Sequence, residues 1–404
     1  MSIVVAFSGG LDTSFCVPYL KEKYDVPVHT VTVNTGGMDE AECAAVEARA
    51  LELGAESHHL IDAREALFER SIQYLIKGNV LRGDLYPLCV GPDRVVQAEA
   101  LVAKTRELGA DTVAHGSTGA GNDQIRFDVA LGVLGDDLTI LTPIRDGNLS
   151  RQETTVWLKE RGFDVDASTT TYSINTGLWG TTVGGKETLG TEKSLPQEAW
   201  PTASMTDAPL EGIKLRIGFT EGIPSSIDGE SMAPVDLIES LNTTGETHAI
   251  GRAIHVGDTI LGIKGRVGFQ APAAAILIPA HRELEKIVLS RWQQYHKAQL
   301  GDFYGMMMHE AQYFDPALRD LEALFDSSQR TVTGEITLTL YKGGVHVEGA
   351  SSPFSLFNVN VATYGEANEL WDGRDARGFA RILGVQSLLT HRVRSTSGTS
   401  SITE

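Results

Sequence analysis

Two short segments of this sequence hold the residue types that could do chemistry. The first, Ser8-Gly9-Gly10-Leu11-Asp12-Thr13-Ser14, follows directly on an apolar run at residues 3–7. Glycine lets the backbone approach a ligand closely, and the first amides of a helix have no intrahelical acceptors. The pattern therefore builds a donor site for an anion such as a phosphate. Ser8, Thr13 and Ser14 add hydroxyl donors, and Asp12 adds a carboxylate that could take a metal ion or cap the helix. The spacing is neither that of the P-loop nor Gly-x-Gly-x-x-Gly. The second segment runs from His115 through Gly116, Ser117, Thr118, Gly119, Ala120, Gly121, Asn122, Asp123, Gln124, Ile125 and Arg126 to Phe127. Gly116 permits close backbone contact. Thr118, Asn122 and Asp123 offer a hydroxyl, an amide and a carboxylate, the set that holds an amino acid by its carboxylate and amine. Arg126, one turn beyond Asn122, shares its helix face and can meet a carboxylate bidentately.

The elements that must position these segments read as alternating strands and helices. Apolar runs at 3–7, 28–33, 58–61, 112–114 and 139–141 predict five strands. Helices are predicted over 13–23, from Asp39 with Glu42 as a capping box to Leu53, from Asp62 onward, over 92–108, and from Ser150 with Glu153 to Arg161. This alternation implies an α/β fold, a doubly wound parallel sheet. Ligands in such sheets sit beyond the carboxyl ends of the strands, where strand order reverses. Both glycine segments are strand exits, so both are expected to open onto one crevice.

The pattern changes after about residue 165. Residues 168–204 are rich in Thr, Gly and Ser, with few periodic elements. Residues 212–220 with Ser226-Ile227-Asp228-Gly229-Glu230 suggest a hairpin, and 234–241 a helix. Alanine-rich 273–277 opens a long helical region reaching about Tyr313, with Pro279 as an early kink. Strands return at 335–341 and 345–348, and an amphipathic segment spans 379–392. The expected organisation is an α/β domain over 1–165, a second α+β domain over 166–365, and a C-terminal helical arm over 366–404 whose polar end, from Ser395, is mobile.

Composition narrows the function classes. The 404 residues carry 34 basic against 53 acidic side chains, a net charge of −19, which argues against a nucleic-acid partner. No apolar run approaches the roughly 20 residues that span a bilayer, so no membrane partner is expected. The start lacks the basic region of a signal peptide. Cys16, Cys43 and Cys89 lie far apart and read as reduced residues of a cytoplasmic protein.

Ser-Gly-Gly-x-Asp-Ser/Thr resembles the pyrophosphate-gripping loop of the N-type ATP pyrophosphatases, which cleave ATP between its α and β phosphates and adenylate a substrate oxygen. The wording at residues 8–14 is most similar to that of the argininosuccinate synthases. The second segment closely resembles their His-Gly-Ala-Thr-Gly-Lys-Gly-Asn-Asp-Gln-Val-Arg-Phe, and Tyr172-Ser173 through Leu178-Trp179 matches a further stretch. The resemblance implies an adenine nucleotide α-hydrolase-like first domain, a synthetase and multimerisation domain, and a homotetramer formed through the C-terminal arm. Phe379, Ile382, Leu383, Leu388 and Leu389 make an apolar stripe on that arm. The implied activity is ligation of citrulline and aspartate to argininosuccinate through a citrullyl-adenylate, with release of AMP and pyrophosphate, in arginine biosynthesis.

The same resemblance assigns roles. Ala6, Phe7, Ser8, Gly9, Gly10, Leu11, Asp12, Thr13, Ser14 and Gly116 would bind ATP, with Asp12 nearest Mg²⁺ and Ser8 a direct phosphate donor. Thr118, Asn122 and Asp123 would bind aspartate, Asp123 also being a candidate proton acceptor. Tyr86, Asn122, Arg126, Ser173 and Thr182 would bind citrulline. Arg94 is expected to serve a phosphate or a substrate carboxylate. Several positions depart from the family. Its Gly-Thr-Ser-Leu-Ala-Arg-Pro is here Cys89-Val90-Gly91-Pro92-Asp93-Arg94-Val95, its acid in Val-Glu-Asn is Gly257, and a tyrosine twelve residues later is Phe269. A lost carboxylate–ammonium hydrogen bond is worth roughly 1.5–3 kcal/mol. The expectation is a divergent branch acting on citrulline. The alternatives are the same chemistry on an N-acylated citrulline, a tRNA-modifying ATP pyrophosphatase, and a non-catalytic sensor.

Overall fold

The computed structural model describes residues 2–165, 172–200, 205–357, 364 and 370–396. They belong to two compact units, Met1–Phe354 and Ser355–Glu404. Most of the expected polar tail, 397–404, lies outside the described residues, as do 166–171 and 201–204 of the Thr/Ser-rich stretch.

The five expected strands form one parallel sheet: β1 (Ile3–Ala6), β2 (Val28–Asn34), β3 (Ser57–Asp62), β4 (Thr112–Ala114) and β5 (Thr139–Leu141). Their order is β3-β2-β1-β4-β5, so order reverses between β1 and β4, which pair directly from Ile3 opposite Thr112 to Val5 opposite Ala114. Side chains alternate across the sheet. Ile3 and Val5 enter one core beneath α1 (Leu11–Tyr24), while Val4 enters the other. Burial on both faces explains why β1 is wholly apolar rather than alternating.

The remaining helices of this half are α2 (Glu40–Glu52), a run of α3 (Arg64–Leu67), a π-helical turn (Phe68–Ile72) and α4 (Gln73–Lys77), then α5 (Asp93–Glu107), α6 (Asp123–Leu134), α7 (Pro143–Asp146) and α8 (Arg151–Glu160). Both predicted capping boxes are present. Glu42 N donates to Asp39 Oδ1 at 2.8 Å and Asp39 N to Glu42 Oε2 at 2.9 Å, with the equivalent pair between Ser150 and Glu153.

The second half holds two antiparallel sheets. One combines β6 (Ser173–Gly177) and β7 (Gly180–Gly184) with β11 (Arg252–Asp258) and β12 (Lys264–Gln270) in the order β11-β12-β7-β6. The other, of order β10-β9-β8-β13-β14, contains β8 (Ile213–Thr220), β9 (Ile223–Ile227) and β10 (Glu230–Ser231). Next come α9 (Pro234–Thr247), β11 (Arg252–Asp258), β12 (Lys264–Gln270), α10 (Pro272–Val288), α11 (Arg291–His309), α12 (Pro316–Gln329), β13 (Gly334–Tyr341) and β14 (Gly344–Ser351). The expected long helix is broken not at Pro279, which α10 accommodates, but at Leu289-Ser290. There Ser290 starts α11 with a capping box to Gln293.

The boundary near residue 165 is not a gap in packing. One apolar core joins Leu67, Tyr86 and Val96 of the first half to Trp179, Phe269 and Leu277 of the second. The β6–β7 hairpin also docks on the loop after β2, where Leu178 N donates to Thr35 O at 2.8 Å. Gly36 has φ +100°, and a Cβ on it would lie 2.6 Å from Leu178 N, so only glycine permits this approach. Trp179 Nε1 anchors the hairpin on Pro87 O at 2.9 Å. The second-half sheet is thereby fixed over the carboxyl edge of the first. In the second unit the predicted amphipathic segment is two helices, α13 (Gly373–Leu383) and α14 (Val385–Thr396), with Phe379, Ile382, Leu383, Leu388 and Leu389 exposed.

Candidate active site

The segment after β1 is a compact turn knitted by its own hydroxyls. Ser8 N and Ser8 Oγ lie 3.3 and 3.2 Å from Thr13 Oγ1, and Ser14 Oγ donates to Gly9 O at 3.3 Å. Gly9 has φ +74°, a conformation that glycine adopts freely. Ala6 and Phe7 lead from β1 into the turn, and Leu11, Asp12, Thr13 and Ser14 form the first turn of α1. Among the described residues, Asp12 Oδ1 is buried with no hydrogen-bond partner. Burial raises the Asp12 pKa, an effect that the Arg151 charge partly offsets.

The second segment leaves β4 beside this turn. A Cβ on Gly116 would sit 3.1 Å from Asp12 C and from Thr13 N, so glycine here lets the two segments touch backbone to backbone. Thr118 sits at the exposed tip, while Asn122 and Asp123 begin α6. His115 is buried, stacks on Phe127 at 5.3 Å and meets Asp128 Oδ1 at 3.0 Å, which ties the start of the segment to α6.

Asp123 is the centre of a charged cluster. It accepts from Arg94 Nη2 at 2.8 Å and from Arg126 Nη1 at 2.9 Å. Both guanidiniums are nearly buried, at 10 % side-chain exposure. Burial alone would raise the Asp123 pKa, but the charges and hydrogen bonds of Arg94 and Arg126 outweigh it and hold the group at about 2. A carboxylate so acidic is ionised throughout the physiological range. Arg94 also bonds Gln97 Oε1 at 3.0 Å and Asn175 Oδ1 at 3.4 Å, while its buried Nε has no partner among the described residues.

The second-half sheet supplies the opposite wall. Asn175 on β6, Thr182 on β7 and Phe269 on β12 are direct register partners and so face the same side. Tyr86 packs on Phe269 with ring centroids 5.1 Å apart and stacks on His255 at 5.4 Å. Asn122 Oδ1 accepts from Ile260 N at 2.9 Å, which links α6 to the β11–β12 turn. Arg126 reaches the end of α11, donating to His309 O at 3.0 Å. Ser173 is exposed at the start of β6, and neither it nor Thr118 has a side-chain hydrogen bond to the described residues. Sequence reasoning missed Asp93, Arg82, His255 and His309. Asp93 alone carried a signal, being a charge amid an apolar helix start.

A parallel sheet with two glycine turns meeting at its switch point, one rich in hydroxyls and one leading to a charged cluster, defines a nucleotide-binding α/β protein of the ATP-pyrophosphatase type. Two family models match: the arginosuccinate synthase N-terminal HUP domain over residues 2–164 and the arginosuccinate synthase C-terminal domain over 172–390. The chain belongs to the argininosuccinate synthase family. Curated relatives named argininosuccinate synthase include one from Xanthomonas campestris, 38 % identical over 97 % of this chain and 98 % of the relative. That of Pyrococcus furiosus is 37 % identical over 100 % and 98 %, and that of Methanocaldococcus jannaschii 36 % over 96 % and 97 %.

Proposed function

We propose that this protein ligates citrulline and aspartate to argininosuccinate at the expense of ATP, releasing AMP and pyrophosphate, as a step of arginine biosynthesis. The observation that carries the reading is the contact of Gly116 with Asp12 and Thr13, which sets an anion-binding turn beside the Asp123–Arg94–Arg126 cluster. A ureido oxygen is a weak nucleophile and a poor leaving group. Its attack on the α-phosphorus forms the P–O bond of a citrullyl-adenylate and expels pyrophosphate. The amine of aspartate then attacks the ureido carbon, the C–O bond to AMP breaks, and a proton leaves the new nitrogen.

The residues of this chain align these groups. The amides and hydroxyls of residues 8–14 bind the leaving pyrophosphate. Thr118, Asn122 and Asp123 orient aspartate, while Tyr86, Asn122, Arg126, Ser173 and Thr182 flank the ureido substrate. Among the described residues no cluster of three or more His, Cys, Asp or Glu is arranged to hold a metal. Mg²⁺ would thus bind through the unpartnered Asp12 oxygen and the phosphates of ATP, as that ion usually does, and would carry part of the pyrophosphate charge. The proposal extends to a cytoplasmic homotetramer assembled through α13 and α14, with residues 1–165, 166–365 and 366–404 as nucleotide-binding domain, synthetase domain and arm. No helix among the described residues is long and apolar enough to cross a membrane. A tRNA-thiolating reading finds no support in the cysteines, since Cys16 and Cys89 are buried and the thiol pKa values of all three, Cys43 included, are pushed up, chiefly by burial.

Pyrophosphate release measured with ATP, citrulline and aspartate tests the reading, each omitted in turn. Release that needs ATP and citrulline is expected, with aspartate required for sustained turnover and Asp12→Asn markedly slower. Release independent of any ureido compound would contradict it.

A further inference from the structure

The wall beyond Tyr86 gathers more positive charge than its neighbours balance. Arg82 lies in the tight turn before Tyr86, with Arg82 N donating to Tyr86 O at 2.8 Å. Its Nη2 donates to Asp258 O at 2.6 Å, and its Nη1 lies 3.5 Å from His309 Nδ1. Arg126 Nη2 approaches the same Nδ1 at 3.2 Å. His309 Nε2 lies 3.1 Å from Asp258 O, a carbonyl that can only accept, so Nε2 carries the proton and Nδ1 accepts from both guanidiniums. The imidazole is neutral, because burial and then the charges of Arg126 and Arg82 push its pKa down to about 3. Two like charges are thus held together through an uncharged bridge.

The carboxylates around them are otherwise engaged. Asp123 is shared between Arg94 and Arg126, the Asp258 side chain pairs with Lys264 at 2.6 Å, and Asp258 and Glu310 act on Arg82 only through space. No described carboxylate forms an ion pair with Arg82. A second observation points to a ligand. His255 is 7 % exposed, and its Nε2 has no partner among the described residues. A Cβ on Gly257 would lie 2.6 Å from that nitrogen and 3.2 Å from Arg82 Nη1. Glycine at 257, where family members place an acid, lets the His255 imidazole and the Arg82 guanidinium close in on the backbone there, with no carboxylate between them. The half-buried Arg82 guanidinium, with no carboxylate ion pair, beside a buried and unpartnered imidazole nitrogen suits an anion and repels an ammonium group.

We infer that Arg82, together with Arg126 and His255, receives the carboxylate of the ureido substrate and that the pocket does not read its α-nitrogen. Arg82 is then a specificity-determining residue, and ureido acids whose α-nitrogen is acylated or absent are accepted alongside citrulline. This rests on the ureido-ligase reading above. The nearest rival is Asp93, a buried acid that accepts from Thr35 Oγ1 at 2.9 Å through one oxygen and has its other oxygen unpartnered. Were Asp93 to bind the ammonium, acylation would be costly.

The test is steady-state pyrophosphate release at saturating ATP and aspartate with three probes: citrulline, Nα-acetylcitrulline and 5-ureidopentanoate. The expected kcat/KM values agree within about threefold, and Arg82→Gln raises KM for all three by about tenfold with kcat little changed, the signature of uniform binding. Arg82→Lys, which keeps the charge, restores part of the affinity and controls for misfolding. A loss beyond about thirtyfold on acetylation or deamination, or an unchanged KM in Arg82→Gln, overturns the inference. If no probe supports release, the ligase reading falls. Calorimetric binding of the same probes to the ATP-bound protein then still decides between a carboxylate-reading and an ammonium-reading pocket.

Discussion

Replacing Asp123 by asparagine removes the one carboxylate that joins Arg94 to Arg126. Two charge-assisted hydrogen bonds, of 2.8 and 2.9 Å, lose the negative charge of their acceptor. Each such bond is worth roughly 1.5–3 kcal/mol, but the asparagine oxygen still accepts one of them. The Asp123 side chain is also 32 % exposed, so solvent screens part of the loss. The net effect is about 2 kcal/mol, which predicts a kcat/KM for aspartate lower by about thirtyfold. The assay is pyrophosphate release at varied aspartate, run from pH 5.5 to 8.5. The loss should be equal across that range, because a group held at about 2 stays ionised throughout it. The sign for stability follows from the same depression. The ionised carboxyl stabilises the fold above the ordinary carboxylate range of about 3.8, and that contribution disappears as pH falls through about 2. A wild-type acid limb near pH 6 that vanishes in Asp123→Asn would refute this reasoning, since it would make Asp123 the proton acceptor.

Gly116→Ala should drive the two glycine segments apart, because its Cβ would lie 3.1 Å from Asp12 and Thr13 backbone atoms that cannot rotate away. A rise of about tenfold or more in the KM for ATP is expected, measured at saturating amino substrates. Asp93 is fully buried, and burial raises its pKa to about 7 in spite of Arg94 and Thr35. The unfolded chain therefore loses that proton first as pH rises, and stability declines between about 4 and 7. Asp93→Asn should gain stability over the wild type in urea denaturation at pH 8 and lose that advantage near pH 4. Ile382→Asp puts a charge into the exposed apolar stripe of α13. Light scattering should then show a smaller particle than the wild-type protein forms, with pyrophosphate release per chain retained if the arm serves assembly alone.

The first half was readable because its signals are local. The apolar run of β1, the glycine pair and the capping boxes at Asp39 and Ser150 each act within a few residues, and each is found where expected. The sheet of β6, β7, β11 and β12 was not readable. Ser-Ile-Asn-Thr-Gly and Gly-Thr-Thr-Val-Gly lack apolar alternation, because these short strands draw their stability from the hairpin's docking on Thr35 and Pro87. Ser290 was missed as a helix start since the apolar periodicity runs past it, and α9 continues beyond Leu241 through residues of modest helix propensity because Gly245 packs tightly on Pro272. At the site, the two loops were legible as sequence motifs. Arg82, His255 and His309 come from three distant segments, and only the tertiary fold brings Arg82 to His309 Nδ1 and stacks His255 on Tyr86 beside it.

In the proposed reaction the ureido oxygen attacks the α-phosphorus of ATP. Citrulline labelled with ¹⁸O at the ureido oxygen, incubated with ATP, aspartate and the protein, tests it most directly by mass spectrometry of the products. The label is predicted in the phosphate of AMP, with unlabelled pyrophosphate. Label-free AMP formed at the same rate as argininosuccinate would contradict the account.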